Sequence, residues 1–86
     1  MGMKNLINAA AEYRLANNLQ GYGGVVILFN GSADAWSMQA ISNPHAWRPG
    51  CIAVDEAGNS WIARGGNYYD GAARWDSILS AGKAAA

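Results

Sequence analysis

Eighty-six residues, 51% of them hydrophobic and only 14% charged, suit one small folded core and exclude the polar, charge-rich composition of a disordered chain. Six basic and six acidic residues cancel, and the basic ones (Lys4, Arg14, Arg48, Arg64, Arg74 and Lys83) are scattered, with acids close to most of them. No basic block is present to neutralise a row of phosphates, and no basic amphipathic helix to lie on a bilayer. Neither nucleic acid nor membrane is therefore an expected partner.

A single domain over residues 1–86 is expected. A chain this short buries about 60–65% of its unfolded surface, which leaves a stability margin of roughly 4–13 kcal/mol. Four Trp, four Tyr and one Phe offer large apolar areas that offset the small size. One cysteine, Cys51, cannot form an intrachain disulfide, so a reducing cytoplasm is the expected location. Met1–Leu19 has no apolar run of signal-peptide length, and "VVILF" at 25–29 is too short to span a bilayer.

Residues 5–19, "NLINAAAEYRLANNL", predict a helix. Asn5 is positioned to cap it, and Ile7, Ala11, Leu15 and Leu19, with Leu6 and Ala10 beside them, form an apolar stripe. Gly21 is the expected C-terminal stop. "GGVVILF" at 23–29 reads as a central strand, Asn30-Gly31 as a turn, and "AWSMQAI" at 35–41 as a strand with Trp36, Met38 and Ala40 on one face. "CIAVDEAGNSWIAR" at 51–64 predicts a hairpin with a four-residue loop, Glu56–Asn59, which places Val54 opposite Trp61 and Ile52 opposite Ala63. "GGNYYDG" at 65–71 reads as a loop. Asp70 then caps a last helix over 71–81, on the spacing of Ala72, Trp75, Ile78 and Leu79, with Gly82 ending it and a frayed tail after it. The expected fold is α+β, in the order α-β-β-β-β-α: a four-stranded antiparallel sheet of two hairpins with both helices on one face. Ile27, Trp61, Trp75 and Leu15 are the expected core.

"SNPHAWRPGC" at 42–51 holds the lone histidine, both prolines and, at its end, the lone cysteine. As a reactive site it would pair His45 with Cys51, oriented by Asn43 or Asp55, and needs the imidazole within hydrogen-bond reach of sulfur. As a connector it needs less. Pro44 and Pro49 hold Asn43 and Arg48 out of the helical region, Pro49-Gly50 is a turn pair, and Trp47 closes over the core. The connector reading explains more of the residues. Zinc draws on about four ligands, mostly Cys and His, and the chain has one of each. Asp55-Glu56 falls at a hairpin tip, where acids are ordinarily just solvated. "RGGNYYDG" offers glycine N–H groups and a following helix start to an anion, but Asp70 at that start opposes one. No cofactor fingerprint is present.

These features predict a non-enzymatic protein-binding or accessory protein of the kind carried by phages and mobile gene cassettes, and self-association as a homodimer. His45, Trp47, Arg48, Tyr22 and Tyr68 are the candidate partner-binding residues, because Trp, Tyr and Arg anchor interfaces. Trp47 and Tyr22 are expected at the dimer centre. A small-ligand-binding domain, or a minor enzyme using His45 and Cys51, are the alternatives.

Overall fold

The computed structural model describes residues 3–79, with side chains over residues 6–78. The protein is α+β. One helix, α1 (Met3–Ala16), precedes strands β1 (Val25–Phe29), β2 (Ser32–Ser37), β3 (Ile52–Asp55), β4 (Ser60–Arg64) and β5 (Arg74–Leu79). All neighbouring strands are antiparallel, in the order β2-β1-β3-β4-β5. The expected architecture is corrected in two respects. The sheet has five strands rather than four, and the residues expected to form a C-terminal helix supply the fifth.

Helix α1 begins before Asn5, which therefore lies within it rather than capping it. It ends in a left-handed residue, but this is Asn18 (φ 56°) rather than Gly21. The N–H of Leu19 reaches back to the carbonyl of Arg14, and that of Asn18 to Leu15, the paired bonds of a Schellman end. The buried face runs through Ala10 and Arg14, flanked by Leu6, Ile7 and Tyr13, against Val26, Leu28 and Val54 of the sheet. Leu15, expected in the core, is 63% exposed. The stripe is rotated because a charged residue, Arg14, takes a position on the inner face.

Strands β1 and β2 meet across Asn30-Gly31, both at positive φ, the backbone that a two-residue hairpin requires. Strand β2 consequently starts at Ser32 and ends at Ser37, and Met38 and Ala40 belong to the turns that follow rather than to the strand. The pairing of Ile27 with Ala35 and Leu28 with Ala33 leaves Asp34 as an extra, bulged residue.

The β3–β4 hairpin forms, one residue out of the expected register. Val54 faces Ser60, Ala53 faces Trp61 and Ile52 faces Ile62. The cause is a three-residue loop. The N–H of Gly58 (φ 96°) bonds to the Asp55 carbonyl, and the N–H of Asp55 to the Asn59 carbonyl. A slip of one residue exchanges faces, so Trp61 lies with Ala53, Cys51 and Ala63 on the face opposite to Val54.

Strands β2 and β3 both run antiparallel to β1, so they are parallel to each other. Joining them requires a crossover along the full strand length. Residues 38–51 make it. They lie over the face that α1 leaves open, where Ala40 and Trp47 pack with Val25, Ile27, Ala53, Ala63, Ala72, Trp61 and Trp75. The core is thus two-sided, with α1 on one face and an irregular connector on the other, in place of two helices on one face. One short 3-10 turn, Pro44–Ala46, interrupts the connector.

Arg74–Leu79 pairs with β4, Ala63 opposite Trp75 and Ile62 opposite Asp76. Trp75 turns to the crossover side, where its Nε1 donates to the Ala40 carbonyl at 2.7 Å. Arg74 and Asp76 turn to the other face, where Asp76 pairs with both Arg64 (3.3 Å) and Arg74 (3.0 Å). The same residues satisfy a helical spacing and a strand alternation, and the unpaired edge of β4 favours the strand. Asp70 therefore caps no helix. Residues 80–86, including the expected stop at Gly82 and the tail, lie outside the described residues.

Candidate functional site

Recesses open at opposite ends of the sheet. The first lies at the Phe29 end, between the crossover and strands β1 and β2. It holds about 250 Å³ and is lined by Ile27, Phe29, Asp34, Ala35, Ala46, Trp47, Arg48 and Cys51. Its floor is apolar because it is the outer margin of the crossover-side core. Its rim carries one acid and one base. The bulge projects Asp34, and the Pro49-Gly50 turn delivers Arg48, whose guanidinium stands 5.1 Å over the centre of the Phe29 ring.

Cys51 is buried in this recess. Burial pushes its thiol up, and the backbone hydrogen bond and charge of Arg48 only partly oppose that. A raised thiol is protonated at neutral pH and is a weak nucleophile. His45 is exposed and makes no hydrogen bond to Cys51. Asp55, proposed as an orienting group, lies at the opposite end, where its carboxylate accepts from the N–H and Nδ2 of Asn59 at 2.9 Å each. Among the described residues no group of three His, Cys, Asp or Glu could hold a metal ion.

The β4–β5 loop lies at the same end of the sheet. Asn67 and Gly71 exchange two backbone hydrogen bonds, and the Asn67 side chain accepts the N–H groups of Tyr69 and Asp70. This small closed loop presents Tyr68 (70% exposed) and Tyr69 (100%) outward. It is locked to the crossover. The N–H of Ala72 donates to the Trp47 carbonyl at 2.8 Å, and the α-carbon of Gly71 lies so close to the His45 carbonyl that a β-carbon there would collide with it. No helix start follows Gly65-Gly66, which removes the helix terminus from the anion reading.

The structure therefore gathers His45, Trp47, Arg48 and Tyr68 at one end of the sheet. Tyr22 lies at the other, in the loop before Val25. Asp34 and Tyr69 join the first group. Asp34 carried no signal in the sequence beyond its place in a turn-like stretch. Tyr69 was legible only as one of an adjacent tyrosine pair.

The second recess, about 230 Å³, lies between α1 and the β3–β4 turn and is lined by Ile7, Ala10, Ala11, Arg14, Gln20, Asp55, Glu56, Ala57 and Gly58. Two charged residues on either side of it, Arg14 and Glu56, bind backbone groups. The Arg14 guanidinium donates to the carbonyls of Gly23 and Gly24 at 2.8 Å each, and Glu56 accepts the N–H groups of Gly21 (2.6 Å) and Gly23 (2.8 Å). No helix among the described residues is long and apolar enough to cross a membrane. No protein-family model, curated protein or solved structure matches the chain.

Proposed function

We propose that this chain is a non-enzymatic protein-binding module, and that it docks its partner on the end of the sheet built by the crossover and the β4–β5 loop. The observation that carries the reading is the combination of an open apolar recess lined by Trp47 and Arg48 with the outward-facing Tyr68 and Tyr69 at the same end of the sheet. Such residues supply large contact area at low entropic cost, and an apolar recess accepts an anchoring side chain. His45 stands on the same connector and contributes a polar contact at the rim. Tyr22 is left out of the proposed surface, because it lies at the far end of the sheet.

A protein side chain suits the recess better than a free small ligand. Its volume of about 250 Å³ lies below the roughly 300–1,000 Å³ typical of small-molecule sites. The raised Cys51 thiol supports a binding role over a catalytic one. A cytoplasmic location, self-association as a homodimer and an accessory role on a phage or mobile gene cassette belong to the same proposal. The gene neighbourhood bears on the last of these.

The test is capture from the native host with wild-type protein and with the Arg48→Glu/Tyr69→Ser variant. Both positions are exposed, so the fold should survive. A protein retained by the wild type and lost with the variant supports the reading. Equal retention by both contradicts it.

A further inference from the structure

Among the described residues nothing pairs with the outer edge of β5. Ala63 donates to the Cys51 carbonyl and accepts from Gly50, so its backbone groups face β3. Alternation along β4 leaves those of Ile62 and Arg64 for β5, where they meet Asp76 and Arg74. The N–H and C=O of Trp75, between those two, consequently point off the sheet edge. Residues 74–77 lie before the β5 irregularity, where the pairing partner of β4 steps from Ser77 to Leu79, and Ala73, ahead of the strand, turns its N–H to the Arg64 carbonyl.

The side chains on this edge are arranged for a copy of themselves. Arg74 and Asp76 flank Trp75 on the same face and pair within the chain at 3.0 Å, their side chains 61% and 40% accessible. A two-fold axis through Trp75 sets Arg74 of each chain directly opposite the partner's Asp76. Trp75 is then the hydrogen-bonded pair on the axis. The two Arg–Asp pairs occupy non-hydrogen-bonded positions, where facing side chains come closest. An axis through Asp76 would instead oppose two like charges. The other edge strand, β2, carries Asp34 and no base, and a bulge interrupts it.

We infer that two copies of this chain pair antiparallel along β5, about a two-fold axis at Trp75, joining their sheets into one. The inference rests on the self-association within the proposed function and names its surface. A two-fold edge pairing is self-complementary and removes an open sheet edge from both copies.

Two measurements test it. Arg74→Asp alone opposes two acids and Asp76→Arg alone opposes two bases, so each variant should sediment as a monomer of 9.1 kDa at concentrations where the wild type is dimeric. Mixed in equal amounts, the two variants should pair, because each chain then meets opposite charges. Arg74→Cys and Asp76→Cys report the register. Residue 74 faces residue 76 of the other chain, within disulfide reach, whereas two copies of residue 74 are about 8 Å apart, beyond it. Oxidation should link the mixture and neither variant alone. A wild type that stays monomeric on tenfold concentration, single charge variants that still dimerise, a charge-variant mixture that stays monomeric, or disulfides formed by Arg74→Cys alone would each overturn the inference. None of these results touches the crossover-end surface, which Arg48→Glu/Tyr69→Ser tests separately.

Discussion

Arg14 and Glu56 hold one loop between them. The guanidinium takes the carbonyls of Gly23 and Gly24, and the carboxylate takes the N–H groups of Gly21 and Gly23, while the two charges stand 3.9 Å apart. The loop they grip sets where β1 begins, and Trp36 fixes it from a third side by donating to the Gly23 carbonyl at 2.9 Å.

Removing Arg14 should be costly. The residue is 4% exposed, so its loss leaves the part-buried Gly24 carbonyl without this donor and opens a cavity under α1. Hydrogen bonds to a charged group contribute about 1.5–3 kcal/mol each, and Arg14→Ala should therefore cost about 3 kcal/mol or more in urea unfolding. Arg14→Lys should recover little, because a point ammonium cannot span two carbonyls as the guanidinium fork does. A loss below about 1 kcal/mol for Arg14→Ala would contradict this.

Glu56 should make the protein acid-sensitive. Its carboxyl is held below the ordinary carboxylate range, chiefly by the N–H of Gly21, then by that of Gly23, with Arg14 a lesser cause. A carboxyl lowered on folding adds stability that is complete above its unfolded pKa and is lost as pH falls through its folded pKa. Glu56→Gln should therefore melt below the wild type at pH 7, with the gap closing as the pH drops through the acid range. A gap that stays constant on acidification would show that the charge of Glu56 contributes nothing.

Gly71 should tolerate alanine less well than Gly23. Both have positive φ, at 84° and 72°, so both pay a backbone penalty of about 1–2 kcal/mol. A β-carbon at Gly23 meets nothing within 4 Å, whereas one at Gly71 runs into the His45 carbonyl. Gly71→Ala must push the β4–β5 loop off the crossover, and should lower the melting temperature well beyond Gly23→Ala. Equal shifts would mean that the two segments are not in contact.

Cys51 should be inert while the protein is folded. Its thiol is buried and raised, so the thiolate fraction at neutral pH is small. Labelling by a disulfide reagent should be far slower than for a free thiol and accelerate on unfolding in urea. Rapid labelling of the native protein would revive the nucleophile reading.

The elements legible in the sequence were those whose pattern has one physical solution. β1 is an unbroken aliphatic run, Asn30-Gly31 suits few structures besides a tight turn, and the prolines of 42–51 mark a stiff connector. The structure departs from the expected elements where a pattern has two solutions. Arg74–Leu79 fits a helical stripe and an alternating strand equally, and the choice rests on the edge of β4, which local spacing does not reveal. The β3–β4 register turned on whether Asn59 belongs to the loop or to the strand. The buried helix face differs from the apolar stripe because Arg14 lies on it, and the partners of that arginine are backbone carbonyls, which no residue type encodes. At the candidate site, Trp47 and Arg48 stood out by composition. Their meeting with Asp34 depends on the β2 bulge and the crossover, both consequences of strand order.

Photo-crosslinking in the native host tests the proposed binding surface most directly. p-Benzoylphenylalanine replaces Tyr69, fully exposed beside the crossover, or Tyr22, 62% exposed at the far end of the sheet. The account predicts a discrete covalent adduct to another protein from position 69, lost on adding Arg48→Glu, and none from position 22. An adduct from position 22 alone, or equal adducts from both, would contradict it.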